Sequence, residues 1–127
     1  MKKLVMDLDG TLTMANTSDY RNVLPRKNVV KKLKEYKEMG YSITIFTARN
    51  MRTYEGNLGK INIYTLPIIT EWLDRYDIPY DEIIVGKPWC GHDGFYVDDR
   101  AIRPSEFETF SFDEISQIFD REMKCSS

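Results

Sequence analysis

The chain has 127 residues, a formal net charge of −2 at pH 7, and 42% hydrophobic against 30% charged residues. This length suits one domain, and the apolar content is sufficient for a core without disulfides or structural metal, which excludes a disordered tail. The nearly balanced charge argues against nucleic-acid and anionic-membrane partners. We therefore expect a single domain over residues 1–127.

The first half of the sequence predicts a strand, a helix and a second strand. The apolar run Leu4–Met6 predicts a strand that ends in the turn Asp7–Thr11. Apolar residues at helical spacing lie between the start signal Pro25 and the stop signal Gly40. Ser42–Phe46 is rich in β-branched residues and predicts the second strand. Together these elements form a βαβ unit.

The second half continues the alternation. Residues 51–60 have the polar, glycine-containing composition of a loop, and Ile61–Tyr76 has the apolar face of a helix. Ile83–Val85 and Phe95–Val97 predict a third and a fourth strand, and a helix is expected over Phe112–Met123. Such alternation predicts an α/β fold with a mainly parallel sheet and helices on both faces.

The N-terminus and the cysteines predict a cytoplasmic protein. No apolar run is long enough for a signal peptide or for the roughly 18 residues of a membrane span. Cys90 and Cys125 lack the spacing of a zinc site or of a disulfide framework. Reduced thiols and no membrane partner are therefore expected.

Chemically reactive side chains follow each predicted strand in turn: Asp7 and Asp9, then Thr47, then Lys87, and finally Asp98 and Asp99. The carboxyl ends of parallel strands share one edge of a sheet, so these groups should converge there. Adjacent carboxylates need a counter-charge, and oxygen ligands with retained waters suit Mg²⁺, which often completes its shell with substrate phosphate. The sequence thus predicts a Mg²⁺ site beside a phosphorylated ligand.

Four short motifs resemble those of the haloacid dehalogenase-like (HAD) hydrolase superfamily, in the same order: residues 5–12, 45–47, 87–88 and 97–99. In that superfamily the second aspartate of the first motif, here Asp9, marks phosphatases and phosphotransferases. Residues 46–52 and 86–104 also resemble a small bacterial subgroup linked to capsule or polysaccharide biosynthesis. The resemblance implies a three-layer Rossmann-like core.

The resemblance also implies a role for each motif residue. Asp7 would be the nucleophile that forms an aspartyl-phosphate, and Asp9 the general acid and base. Thr47 and Lys87 would hold the phosphoryl oxygens. Asp98 would bind Mg²⁺ together with Asp7 and the backbone carbonyl of Asp9, while Asp99 would act through a water molecule.

Residues beside the motifs are candidate substrate contacts: Gly10, Ala48, Arg49, Arg52, Trp89, His92 and Arg100. Guanidinium groups suit phosphate or carboxylate recognition, with surface salt bridges as the alternative. Trp89 follows Lys87 closely and has a position from which it could stack on a substrate. His92 is assigned either a substrate contact or a surface role.

No segment is long enough for the cap domain that many HAD enzymes carry. Residues 12–28 have room only for a flap, and residues 49–60 form the expected specificity loop. A capless site is either open to a large substrate or closed by a neighbouring subunit of a homo-oligomer. The sequence leaves both alternatives open.

The leading functional hypothesis is a Mg²⁺-dependent phosphatase acting on a small phosphorylated sugar or alcohol, with capsular polysaccharide biosynthesis as the pathway. One alternative is a polynucleotide-end phosphatase, since residues 95–100 resemble the phosphatase half of polynucleotide kinases. The net charge argues against it. A second alternative is a non-catalytic module that binds Mg²⁺ or a phospho-ligand. A phosphotransferase would use the same residues.

Overall fold

The computed structural model describes residues 2–15 and 17–125, so Asn16 of the expected flap and the ends of the expected 1–127 domain lie outside the described residues. Its sheet has three parallel strands in the order β1-β2-β3. They are β1 Lys3–Met6, β2 Ser42–Thr47 and β3 Glu82–Val85. The predicted α/β fold with a parallel sheet is confirmed, together with its first three strands.

Five α-helices and one π-helical turn accompany the sheet in the described residues: α1 Lys27–Glu38, α2 Leu58–Lys60, the π-helical turn Ile61–Thr65, α3 Leu66–Arg75, α4 Pro104–Thr109 and α5 Phe112–Cys125. The sequence predicted α1, α3 and α5. It placed residues 58–60 in a loop, but Asn57 caps a helical turn there by accepting a hydrogen bond from the Lys60 N–H at 3.1 Å. Pro67 lies in the first turn of α3, directly after the π-helical turn.

The prediction of a fourth strand at Phe95–Val97 is wrong for this chain. These residues belong to none of the strands, and the side chains of Phe95 and Val97 are 79% and 88% exposed. Strand-forming side chains favour extended backbone, but a strand also needs a ladder of hydrogen bonds to a neighbour, which is not encoded locally.

The described residues fall into two compact units, one that ends at Trp89 and one that begins at Cys90. The first contains the sheet and α1–α3, and the second contains α4 and α5. In the first unit, Leu33, Ile45 and Leu73 are fully buried, and in the second Phe107 and Ile115 are buried. Ile118 and Phe119 of α5 are half-buried. No helix of the described residues is long and apolar enough to cross a bilayer.

Asp81 joins three elements of the first unit. Its carboxylate accepts a hydrogen bond from the Ile43 N–H of β2 at 2.7 Å, and both its oxygens bind Lys37 Nζ of α1 at 2.8 Å. Its backbone N–H donates to the Ile43 carbonyl at 2.8 Å, just before β3 begins. The Lys37 ammonium and the Ile43 N–H together hold the pKa of Asp81 below its ordinary value of 3.8.

We expect the free energy of unfolding of Asp81→Asn to depend less on pH in the acidic range than that of the parent protein. A carboxyl whose pKa is lowered in the folded state stabilises the protein above its unfolded pKa, and this stabilisation is lost as the pH falls through the folded value. The variant should therefore be less stable than the parent at pH 7 and lose less stability between pH 7 and about pH 3. Urea unfolding at several pH values measures this. Asp77→Asn is the control, because the Asp77 side chain is fully exposed, and an unchanged pH dependence in Asp81→Asn would contradict the assignment.

Candidate functional site

The carboxyl end of the parallel sheet brings three predicted site residues together. Asp7 follows β1, Thr47 ends β2, and Lys87 lies two residues after β3. Lys87 Nζ lies 3.4 Å from Asp7 Oδ1, although the two residues are 80 positions apart in sequence. The Lys87 N–H donates to the Thr47 carbonyl at 3.1 Å. Parallel pairing thus places a carboxylate and an ammonium face to face.

Asp7 is oriented by a compact turn. Thr11 Oγ1 donates a hydrogen bond to Asp7 Oδ2 at 2.9 Å, while the Asp7 side chain remains 37% exposed. The turn depends on Gly10, which has a φ of 80° and donates its N–H to Thr13 Oγ1 at 2.8 Å. The sequence alone predicts no role for Thr11. The one feature of the sequence that points to Thr11 is its hydroxyl group, which follows Asp7 within the same glycine-containing turn.

Asp9 is held by Arg49 through a two-pronged ion pair. Arg49 Nε donates to Asp9 Oδ2 at 3.1 Å and Nη2 donates to Asp9 Oδ1 at 2.7 Å. The Arg49 side chain is 1% exposed and that of Asp9 is 20% exposed. Arg49 Nη1 is buried and has no hydrogen-bond partner in the part of the chain that the structure describes. Arg49, expected as a substrate contact, is thus bonded to the expected general acid and base.

The flap adds an aromatic ring to this ion pair. The ring of Tyr20 lies over the Arg49 guanidinium, with 4.1 Å between its centroid and Cζ. Burial raises the pKa of Tyr20, the Asp9 charge raises it further, and the Arg49 charge opposes both. The base of the flap is closed by backbone hydrogen bonds from Met14 N to Leu24 O at 2.8 Å and from Arg26 N to Leu12 O at 2.7 Å.

The flap is also anchored to the core. Trp72 of α3 is 1% exposed and donates its indole N–H to the Val23 carbonyl at 2.8 Å. This bond joins the flap to α3 at the residue next to Leu24, at the hydrogen-bonded base of the flap. Tyr20 could not be predicted as a site residue, because no periodicity in residues 12–28 indicates which side chain faces the site.

Thr47 is buried, and its Oγ1 accepts a hydrogen bond from the Arg49 N–H at 3.0 Å. A hydroxyl that accepts one hydrogen bond still carries its own proton, which a phosphoryl oxygen can accept. The Ala48 carbonyl accepts from the Met51 N–H at 3.0 Å, so the backbone after β2 turns sharply into the specificity loop.

The specificity loop carries a second cation–aromatic contact. The Arg52 guanidinium lies 5.5 Å from the centroid of the Trp89 ring. The loop is tied to the π-helical turn by a hydrogen bond from Thr65 Oγ1 to Asn50 Oδ1 at 2.7 Å. Arg52 and Trp89, both predicted substrate contacts, therefore meet each other in the first unit.

The remaining predicted site residues belong to the second unit. Asp98 Oδ1 accepts a hydrogen bond from the Arg100 N–H at 2.8 Å, and the Arg100 guanidinium lies 4.2 Å from the centroid of the Phe119 ring. The side chains of His92 and Asp99 are exposed. No group of three or more His, Cys, Asp or Glu side chains that could hold a metal is found in residues 2–15 and 17–125. The metal set of Asp7, Asp9, Asp98 and Asp99 therefore stays a prediction.

Comparison with known proteins shows close similarity to a solved structure. No protein-family model matches the sequence, and no curated protein matches it significantly. The crystal structure of a target protein from Vibrio cholerae has 71% sequence identity and a TM-score of 0.94, over 96% of this chain and 99% of that one. This agreement supports the α/β fold.

Two more distant structures are chains from Pnkp1/Rnl/Hen1 complexes, the second described as an RNA repair complex. One has 26% identity and a TM-score of 0.48, over 86% of this chain and 34% of that one. The other has 23% identity and a TM-score of 0.48, over 96% of this chain and 40% of that one. At these scores the two likenesses carry no argument about fold or function.

The Arg49–Asp9 pair should show strong coupling in a double-mutant cycle. Arg49→Met leaves a largely buried carboxylate without its cation, and breaking such a pair costs about 3 kcal/mol or more in free energy of unfolding. Adding Asp9→Leu removes the uncompensated charge, so the double variant should be less destabilised than the sum of the two single variants. Urea unfolding of all four proteins measures the coupling, and additive costs would show that the ion pair contributes nothing.

Proposed function

This chain belongs to the same family as the Vibrio cholerae protein, and we propose that it is a Mg²⁺-dependent phosphatase that hydrolyses a small phosphomonoester through a phosphorylated Asp7. The observation that carries the proposal is the approach of Lys87 Nζ to Asp7 Oδ1 at 3.4 Å. A carboxylate that attacks phosphorus needs a cation beside it to receive the dianionic group and its developing charge. The motifs that resemble the HAD superfamily assign the same roles to these residues.

Asp7 has the orientation and access that a nucleophile needs. Thr11 fixes one carboxylate oxygen, Lys87 faces the other, and more than a third of the side chain is exposed to an incoming substrate. An ammonium about 4 Å from a phosphoryl oxygen contributes about 4 kcal/mol at an effective dielectric constant of 20, before desolvation. Lys87 therefore lowers the cost of bringing a phosphate to a carboxylate.

Thr47 would hold a second phosphoryl oxygen. Its hydroxyl is buried and oriented by the Arg49 N–H, so little side-chain freedom is lost when it donates to the substrate. A donor fixed before the substrate binds stabilises the transferring group without reorganisation.

Asp9 would move protons in both half-reactions. Asp7 forms a bond to phosphorus while the ester oxygen–phosphorus bond breaks, and the leaving oxygen takes a proton from Asp9. A water molecule then gives a proton to Asp9 and attacks phosphorus, which releases inorganic phosphate and restores the Asp7 carboxylate. Both Asp9 oxygens accept hydrogen bonds from Arg49, and each oxygen retains a further lone pair that can take the water proton.

The oxygen donors in the turn after β1 fit Mg²⁺. The Asp7 carboxylate retains lone pairs beyond those facing Thr11 and Lys87, and the Asp9 backbone carbonyl is a second hard ligand. Mg²⁺ commonly takes only one or two carboxylates and fills its shell with water and substrate phosphate. Asp98 would supply a further carboxylate, and Asp99 would act through water. The bound cation would neutralise phosphoryl charge.

The substrate class we propose is a phosphorylated sugar or alcohol of capsular polysaccharide biosynthesis in the cytoplasm. The flap is fixed over Arg49 by Tyr20, and the specificity loop presents the Arg52–Trp89 pair. An aromatic ring beside a guanidinium suits a polar substrate with one apolar face. The polysaccharide pathway itself rests on the resemblance of residues 46–52 and 86–104 to that subgroup.

We expect the purified protein with Mg²⁺ to release phosphate from sugar or alcohol phosphates, and Asp7→Asn to lose at least about 10³-fold in rate because the nucleophile is gone. EDTA should abolish release, and excess Mg²⁺ should restore it. Asp77→Asn, at a fully exposed side chain, is the matched control and should keep the parent rate. The panel includes nucleotides and a 3′-phosphorylated oligonucleotide.

Two outcomes of this assay would contradict the proposal. Preference for the oligonucleotide would indicate a polynucleotide-end phosphatase. No release from any compound by folded protein in saturating Mg²⁺ would favour a non-catalytic binding module.

Thr11→Val should lower kcat about tenfold, because one hydrogen bond to a charged group contributes about 1.5 kcal/mol and the nucleophile loses its orientation. Valine preserves the shape of threonine, so the fold should be retained. Thr70→Val is the control, since Thr70 Oγ1 donates only to the Leu66 and Pro67 carbonyls of its own helix. An equal kcat in both variants would show that Thr11 does not position Asp7.

A further inference from the structure

An apolar run of strand-forming residues is exposed in the second unit. Phe95 and Val97 are 79% and 88% exposed, and Tyr96 between them is 51% exposed. All three are residue types enriched in strands, yet residues 95–97 belong to none of the strands. Consecutive large apolar side chains at such exposure mark a surface that associates with something else.

The first unit has the complementary feature, an open sheet edge. β1 pairs with β2 on one side, and the described residues provide no strand on its other side. Val5, in the middle of β1, is 58% exposed. The outer edge of a strand presents unpaired backbone donors and acceptors and is a template for the addition of another strand.

We propose that residues 95–97 of one copy of this chain add to the outer edge of β1 of a second copy, reciprocally, so that two copies form a strand-exchanged dimer. The chain itself supplies both halves of the contact, an edge that can accept a strand and a strand-forming run outside the sheet. Reciprocal use of the same two surfaces closes a two-fold dimer and leaves neither surface exposed.

The segment that leads into this run favours exchange. A Cβ placed on Gly94 would overlap the Cys90 carbonyl oxygen, so the backbone at residues 90 and 94 approaches closely in a tight turn. A short, tight connection ahead of a strand-forming run is a feature that promotes exchange between copies.

The exchange deepens the proposed function and rests on it. Asp98 directly follows the added strand, as Asp7 directly follows β1. Parallel addition would therefore place Asp98 of the second copy at the carboxyl end of the sheet beside Asp7. Each Mg²⁺ site would combine Asp7 of one copy with Asp98 of the other, which is an active site shared between subunits.

Mixing two inactive variants tests the shared site. Asp7→Asn and Asp98→Asn should each be inactive alone. After unfolding and refolding a 1:1 mixture, half of the dimers carry one copy of each variant, and one of their two sites combines an intact Asp7 with an intact Asp98. About a quarter of the parent activity should return. If each chain builds its own site, no site is intact and no activity returns, which would overturn the proposal.

A measurement of mass is independent of activity. The parent should have twice the 15.0 kDa of the chain in light scattering, and Val97→Lys should be monomeric but folded, because a lysine is poorly tolerated within an added strand. Met123→Lys is the control, since Met123 is 66% exposed on α5, and should remain dimeric. A monomeric parent, or a dimeric Val97→Lys, would overturn the exchange. If the parent hydrolyses no phosphomonoester, the proposed function is wrong. The molar mass of the parent and of Val97→Lys still shows whether the strand-exchanged dimer forms.

Discussion

The buried guanidinium of Arg49 is the group on which the geometry of the candidate site depends. A charge at 1% exposure is stable only when it is paired, and Arg49 meets this requirement by binding Asp9, which follows β1. Its own backbone N–H binds Thr47 at the end of β2, and its flat face packs against Tyr20 of the flap. One side chain therefore fixes the relative positions of a turn, a strand end and the flap.

Parallel strand pairing supplies the second constraint. The register of β1 on β2 and of β2 on β3 brings the residues after each strand to the same edge, which is why Asp7 and Lys87 meet across 80 residues. The sequence could predict this meeting, because apolar strands followed directly by chemically reactive residues are a local pattern. Parallel strand order then requires the convergence.

Features that depend on tertiary contacts could not be predicted from the sequence. The pattern around Arg49 indicated an anion-binding residue, but only the folded chain shows that its anion is Asp9. Tyr20 lies in an irregular segment with no periodicity. The run at Phe95–Val97 has strand-forming composition, yet strand formation requires a neighbouring edge, and composition cannot say where that edge is or which copy of the chain provides it.

The origin of Asp98, from the same copy or from a second one, would determine how the proposed phosphatase is regulated. A phosphatase that assembles its metal site within one chain is active at any concentration, whereas a site shared by two copies is complete only in the dimer. The fraction of active protein would then follow the association equilibrium, and a ligand that bound the shared site would stabilise the dimer by mass action. An open sheet edge and an exposed strand-forming run would in this way couple catalysis to assembly.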